Sequence, residues 1–292
     1  MRYEIVHTTH YAYESEVLNS HHVARLTPRT LPGQRLLEHS LMLDPQPAHR
    51  STMFDYFGNE AVFFSEETPY RELRVTARSV VELDTPQPEL PFEIPSWESV
   101  RDSVYYALTG SDLSLVQEYT WSSPLINRHS AFSEYAACCF TPGRPLFEAL
   151  LHLTARIHAD FVFDASATTI ATPLLEVLES RRGVCQDFAQ IQIACLRSLG
   201  LPARYVSGYI ETLPPPGEVK LVGADASHAW ISAYCPPLGW VDLDPTNNVR
   251  PSGQHITLGW GRDFTDVSPL RGIFVGSGAQ ELSVSVDVNR IG

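Results

Sequence analysis

The sequence predicts an α+β protein in which an N-terminal β-sandwich precedes a domain that packs helices on an antiparallel sheet. Three observations support this fold class. Strand-like runs separated by turns fill residues 1–84, a proline-rich stretch follows them, and strong helical periods appear from residue 145 before further strand-like runs. We therefore divide the 292 residues into a sandwich at 1–84, a proline-rich and helical connection at 85–144, and a second domain at 145–292.

The predicted sandwich depends on four short apolar runs near the start of the chain. They alternate in polarity or are rich in β-branched residues, as strands are. These runs occupy residues 3–7, 36–43, 61–64 and 73–83. Turn-forming pairs such as Pro32-Gly33 and Asp44-Pro45 separate them, so we expect antiparallel strands joined by turns.

The connection begins with four prolines in the ten residues 86–95, a composition typical of a semi-rigid linker. Ser96 then suits the N-cap of a helix. Residues 112–140 are read as short helices separated at Ser123-Pro124.

Helices open the second domain. Pro145 suits the first turn of a helix, and another helical stretch is expected at 174–178. A third helix is expected at 185–199, because Gly200 and Pro202 give a strong termination signal. Strand-like runs follow at residues 203–211, 227–234, 240–244 and in parts of 254–292.

Composition and charge limit the classes of partner. The chain has 34 acidic and 21 basic residues, a formal net charge of −13 and no basic stripe, so we expect no DNA or RNA partner. No apolar run approaches the ~18 residues of a membrane-spanning helix, and the N-terminus lacks a signal-peptide pattern. We therefore expect no membrane contact and a cytoplasmic location.

The five cysteines are an odd number without the spacing of a disulfide framework, so we expect free thiols. Neither a CxxC pair nor an HExxH helix occurs. The turn at 276–278 lacks the helix and lysine of a phosphate-binding loop. We expect neither a metal ion nor a cofactor.

Cys185 is the first candidate functional residue, because it lies at a predicted helix start just after Arg181-Arg182 and Gly183-Val184. The partial positive charge of a helix N-terminus favours a thiolate. Free backbone N–H groups at the same place can bind a developing oxyanion. A buried structural cysteine is the alternative, and position alone does not decide between them.

Two neighbouring strand-like runs supply a candidate base and carboxylate. Side chains alternate along a strand, so Asp242 and Asp244 share one face of their run. If Tyr234 lies opposite Trp240, Asp244 is the diagonal neighbour of His228; a register shifted by two residues makes them directly opposite. Both registers bring an imidazole and a carboxylate together, as a Cys–His nucleophilic site requires.

Several strings in the chain resemble the bacterial branch of the transglutaminase-like superfamily. In the second domain they are RRGVCQDFA at 181–189, GLPARYVSGY at 200–209, SHAW at 227–230, GW at 239–240, DPTN at 244–247 and GRDF at 261–264. In the first region they are THYAY at 9–13, RLTPR at 25–29 and DYFGN at 55–59. The resemblance thus covers roughly residues 1–84 and 145–292.

This resemblance implies a papain-like core with Cys185 as nucleophile, His228 as base and Asp244 as orienting acid. The DPTN string favours Asp244 over Asp242. The implied chemistry is acyl transfer through a thioester on a peptide or protein substrate. Hydrolysis by a protease or amidase is preferred to cross-linking, because water is always present. A non-catalytic member that binds peptides or proteins is the alternative from another class.

Two further residues of the helix are interpreted against the family pattern. Many relatives carry a histidine at the position of Gln190, so this departure bears on the surroundings of the triad rather than the triad itself. Asp187 lies in the first helical turn. We expect it to cap the helix or to pair with a nearby arginine.

Overall fold

The computed structural model describes residues 1–84, 93–107, 111–212 and 227–292. In this part of the chain three four-stranded antiparallel sheets are present, with one short parallel pair of strands. Seven α-helices accompany them. The predicted α+β class is confirmed.

Two sheets, sheet I and sheet II, form the sandwich of the N-terminal region. The strands of sheet I are β1 (Arg2–Val17), β3 (Gln34–Asp44), β6 (Tyr70–Leu83) and β14 (Gln280–Arg290), in the order β14-β1-β6-β3. The strands of sheet II are β2 (Asn19–Ala24), β4 (His49–Phe54), β5 (Glu60–Glu66) and β13 (Leu270–Val275), in the order β13-β2-β5-β4. Inward-facing residues of both sheets, such as Val17, Phe64 and Val75, form one buried cluster.

Two of these strands come from the end of the chain, which the predicted second domain included. Instead, β14 pairs with β1 and β13 pairs with β2, so the end of the chain completes the sandwich. Alternating polarity predicts a strand but carries no information about its partner. The strand β4 is exposed along its whole length, and no apolar alternation therefore marks it in the sequence.

Sheet III carries the second domain. Its strands are β9 (Ala203–Ile210), β10 (Ser227–Tyr234), β11 (Trp240–Leu243) and β12 (His255–Gly261), in the order β11-β10-β9-β12. Helix α6 (Cys185–Ser198) packs on β9 and β10. Its side chains from Asp187 to Arg197 are buried, so α6 is the central helix of this domain.

Shorter elements surround this centre. Helices α3 (Ser130–Ala136), α4 (Leu146–Asp160) and α5 (Leu174–Ser180) contact α6. The others are α1 (Trp97–Tyr105), α2 (Asp112–Gln117), a 3-10 turn (Glu118–Thr120), α7 (Phe264–Val267) and the parallel pair β7 (Val162–Phe163) and β8 (Arg182–Gly183). Ser96 caps α1 as predicted, because its Oγ accepts a hydrogen bond from the Ser99 backbone N–H at 3.3 Å.

The proline-rich segment predicted at 85–95 lies, up to residue 92, outside the described residues. Among the helices of the described ranges, none combines the length and the apolar character that a membrane span needs.

Sheet I also packs against sheet III. Tyr3 and Val288 of sheet I share a buried cluster with Tyr209 and Ile256 of sheet III. Next to it, the hydroxyl of Tyr209 lies 2.8 Å from Nδ1 of His7. The sandwich therefore supports β9, which lies beside the strand that carries His228, and β12, which pairs with the other side of β9.

Candidate active site

Cys185 is the first residue of α6 and is partly buried. The helix start is built by Asp187, whose Oδ2 accepts hydrogen bonds from the Val184 backbone N–H at 2.8 Å and the Thr168 hydroxyl at 2.6 Å. A Cβ at Gly183 would lie 2.5 Å from that oxygen, so glycine is required there. Asp187 is thus a cap, one of the two roles expected for it.

The arginine pair before the helix has other contacts. Arg182 forms an ion pair with Asp164, with its Nη2 2.6 Å from Oδ2. The guanidinium of Arg181 lies over the Tyr135 ring, 4.2 Å from the ring centroid. Both arginines therefore have their contacts outside α6.

His228 lies near the start of β10, and Asp244 follows directly after β11. In the observed register Tyr234 faces Trp240. This is the first of the two registers considered above, which places Asp244 diagonally from His228. The two side chains meet, with His228 Nε2 2.7 Å from Asp244 Oδ2.

Asp242 has a different partner, although it shares the alternating pattern. Its Oδ2 accepts a hydrogen bond from Nε1 of Trp230 at 3.2 Å. The carboxylate that contacts His228 is therefore that of Asp244.

Asp244 is fully buried and is held by its own turn. Oδ1 accepts the backbone N–H groups of Thr246 and Asn247 at 2.9 and 3.1 Å, and Oδ2 accepts Nδ2 of Asn247 at 2.7 Å. Burial by itself would raise the pKa of Asp244, but the hydrogen bonds from His228, His255 and Asn247 hold the pKa well below its ordinary value. The DPTN string thus supplies both the carboxylate and the donors that keep it ionised.

His228 links the carboxylate to the cysteine. Burial lowers the pKa of the imidazole, but hydrogen bonds with Asp244 and Cys185 outweigh it and raise the pKa to about 9. The ring is therefore charged at neutral pH. The structure thus brings Cys185, His228 and Asp244 together.

His255, the first residue of β12, is a site residue that the sequence does not reveal. Its Nε2 lies 3.0 Å from Asp244 Oδ2, and the ring is buried. The sequence shows only that a strand-like segment occurs in this region. No string or spacing relates His255 to the triad, and only the fold brings it there.

Two imidazoles and one carboxylate are a donor set that proteins use for Zn²⁺, and the ligating atoms of His228, Asp244 and His255 lie within 4.8 Å of one another. Here each imidazole Nε2 lies 2.7 or 3.0 Å from the same carboxylate oxygen. Two ligands of one tetrahedral zinc lie roughly 3.3 Å apart, given bonds of about 2.0 Å. The distances match hydrogen bonds, which account for the arrangement.

Gln190 is buried further along α6 and lines a cavity of about 380 Å³ with Phe132 and Leu175. None of the three predicted triad residues is among the residues lining this cavity. The amide nitrogen of Gln190 has no hydrogen-bond partner among the described residues. The glutamine that this chain carries in place of the histidine of many relatives therefore lies at this cavity.

Comparisons with known proteins agree with this architecture. The model for the bacterial transglutaminase-like N-terminal region matches residues 3–82, and that for the transglutaminase-like superfamily matches residues 135–245. The uncharacterized protein Rv2569c of Mycobacterium tuberculosis is 43% identical over 295 residues, which cover 98% of this chain and 92% of that protein. A protein-glutamine gamma-glutamyltransferase of Pseudomonas aeruginosa is 38% identical over 76 residues, 26% of this chain and 11% of that protein.

The fold is also shared with a solved structure. A candidate cysteine protease from Cytophaga hutchinsonii superposes with a TM-score of 0.76 and 19% sequence identity, covering 100% of this chain and 92% of that one. At this identity the likeness concerns the fold, and it extends over the sandwich as well as the core. The family match supports a cysteine-based enzyme. The chain belongs to the transglutaminase-like superfamily, in the bacterial branch that carries its own N-terminal region.

Proposed function

We propose that this protein is a cysteine-nucleophile acyl-transfer enzyme that acts on peptide or glutamine-type carboxamide bonds through a thioester. Cys185 is the nucleophile, His228 the proton carrier and Asp244 the orienting acid. The observation that carries the proposal is the chain of hydrogen bonds from the partly buried Cys185 through the buried His228 to Asp244, with the last contact at 2.7 Å.

The ring orientation defines the path of the proton. Because Nε2 of His228 donates to Asp244, Nδ1 is the nitrogen left to exchange a proton with the thiol. The Cys185 thiolate attacks the carbonyl carbon, and the imidazolium gives its proton to the leaving amine. The thioester that results is the acyl-enzyme.

Stabilisation of the developing oxyanion falls to the start of α6. Backbone N–H groups in the first turn of a helix have no partner within the helix, and they point toward an anion placed beside Cys185. His228 then removes a proton from water, and the hydroxide attacks the thioester to release the acid and restore the thiol.

Hydrolysis is the proposed outcome, with a peptide or protein as substrate. If an amine attacked the thioester in place of water, the same acyl-enzyme would carry out cross-linking. That is the kind of reaction in the name of the Pseudomonas aeruginosa relative. That relative shares only a local segment with this chain. Water needs no binding site of its own, whereas an amine does.

The test is peptide-library profiling of the wild type and Cys185→Ala, with and without added primary amines. We expect acid products that require Cys185 and form without any amine. Amine adducts as the main product would replace hydrolysis by cross-linking. Substrate binding without turnover, equal in both proteins, would support a non-catalytic peptide-binding member and overturn the enzyme proposal.

A further inference from the structure

His255 shares the carboxylate of Asp244 with His228. Both imidazoles donate from Nε2 to the same oxygen, Oδ2, at 2.7 Å from His228 and 3.0 Å from His255. The other ring nitrogen of His255, Nδ1, is buried and has no partner among the described residues. A proton on Nε2 satisfies the carboxylate, and no acceptor among the described residues faces Nδ1.

The position of His255 depends on β12, which is an edge strand of sheet III. Among the residues that the structure describes, no fifth strand covers its outer side; two side-chain amides of the N-terminal region bond it there instead. Gln34 accepts the Thr257 N–H and donates to the Thr257 C=O, both at 2.8 Å. Asn59 accepts the Trp260 N–H at 3.1 Å and donates to its C=O at 2.9 Å.

These contacts imitate a neighbouring strand, because each amide bonds one N–H and one C=O of the same residue. Both amides are buried, and Asn59 also accepts Nη1 of Arg29 at 2.7 Å. The space for this approach exists because residue 259 is glycine: a Cβ there would lie 2.5 Å from the Asn59 oxygen. The RLTPR and DYFGN strings of the N-terminal region thus meet at β12.

We propose that His255 is a positioning residue for the triad, which shares the Asp244 carboxylate with His228, and that the N-terminal region holds it there through Gln34 and Asn59. This inference rests on the proposed function. Asp244 is already fixed by Asn247 and its own turn, so the effect of His255 is to draw part of the carboxylate charge away from His228. Without that donor, the carboxylate holds the imidazolium more strongly, and His228 becomes a weaker acid toward the leaving amine.

The groups that face His228 define the test. The titratable ones are Cys185 from α6, Asp244 from the turn after β11, and His255 through that carboxylate, and the Nδ2 amide of Asn247 also lies 3.4 Å from the Nε2 of His228. His255→Phe removes the donor, whereas His255→Gln keeps an N–H near the place of Nε2. His7→Phe is the matched control, because His7 is another buried histidine and it bonds Tyr209 instead of Asp244.

The measurement is a titration of the His228 Cε1–H signal by NMR in histidine-labelled full-length protein, with the signal assigned by its loss in His228→Gln. We expect His255→Phe to raise the pKa of His228 by about half a pH unit or more. The rise corresponds to the share of a charge-assisted hydrogen bond that passes from His255 to the donors that remain on Asp244. His255→Gln and His7→Phe should leave the titration near that of the wild type.

Gln34→Ala tests whether the N-terminal region holds His255 in place, because it removes one of the two amides that bond the edge of β12. It should raise the pKa of His228 as His255→Phe does, but by a smaller amount. It also serves if His255→Phe does not fold. An unchanged or downward shift in His255→Phe, or no shift in folded Gln34→Ala, would overturn the proposal. The titration needs no substrate, so an inactive chain with the shift would refute only the proposed function.

Discussion

Asp244 accepts five hydrogen bonds although it is fully excluded from solvent. A buried carboxylate is stable only when donors satisfy its lone pairs, and here they come from two histidines, one asparagine and two backbone N–H groups. The charge is therefore fixed in place before any substrate arrives. A fixed negative charge behind an imidazole supports the imidazolium of a Cys–His pair.

Exchanging the carboxylate for an amide tests this role. Asp244→Asn keeps the size of the side chain but removes the charge, so His228 is no longer held as the imidazolium. We expect turnover to fall by up to ~10⁴-fold, the loss seen for the equivalent change in a serine triad. The measurement is turnover on a peptide found by library profiling, with folding checked by circular dichroism.

Asp242→Asn is the matched control for that experiment. The new amide can still accept the hydrogen bond of Trp230 through its oxygen, so the change should cost about 1 kcal/mol or less. A loss of activity in Asp242→Asn as large as in Asp244→Asn would mean that general disruption of β11, rather than the His228 contact, causes the effect.

At the scale of elements, α6 begins at Cys185 because the Asp187 carboxylate accepts the Val184 N–H, which has no partner within the helix. Removing this acceptor should destabilise the helix start. We expect Asp187→Ala to lower the free energy of unfolding by about 0.5–2 kcal/mol, as the loss of an N-terminal cap does. Urea denaturation measures it.

Asp187→Asn distinguishes the hydrogen bonds that Asp187 accepts from the effect of its negative charge. Its amide oxygen can still accept the Val184 N–H and the Thr168 hydroxyl, so it should retain most of the stability. Equal destabilisation by the two variants would assign the effect of Asp187 to its charge at the helix N-terminus instead of to the hydrogen bonds.

The sequence predicts those elements whose determinants are local. The end of α6 follows from Gly200 and Pro202, and the β10–β11 hairpin follows from alternation on both sides of a short turn. Hairpin register limits Asp244 to two positions near His228, and both of them give contact. The partner of β14 and the place of His255 depend on pairings between distant segments, which alternation does not specify.

At the scale of the whole molecule, the sandwich and the second domain form one packed body, because sheet I packs against sheet III. Two buried histidines lie within these packed sheets. His7 contacts Tyr209 between sheets I and III, and His22 stacks on Phe64 in sheet II. Burial lowers the pKa of each to about 4. Both rings are therefore neutral in the folded protein near neutral pH.

These two histidines predict a loss of stability in mild acid. Their pKa is depressed in the folded state, so their contribution is present above the ordinary histidine pKa of about 6.5 and is lost as the pH falls toward about 4. The urea concentration at the midpoint of unfolding should therefore decrease as the pH is lowered through this range. His22→Phe should show a smaller decrease than the wild type; an identical decrease would assign acid sensitivity to other groups.

The central claim is that Cys185 is an activated nucleophile paired with His228. The most direct measurement is mass mapping of partial iodoacetamide labelling at about pH 6, where an ordinary thiol carries little thiolate. Cys138 is the built-in reference because it is exposed, whereas Cys139, Cys195 and Cys235 are buried. We expect Cys185 to be labelled ahead of Cys138 in the wild type and to lose that advantage in His228→Ala. Labelling of Cys185 no faster than of Cys138, or an advantage that His228→Ala leaves unchanged, would contradict the account.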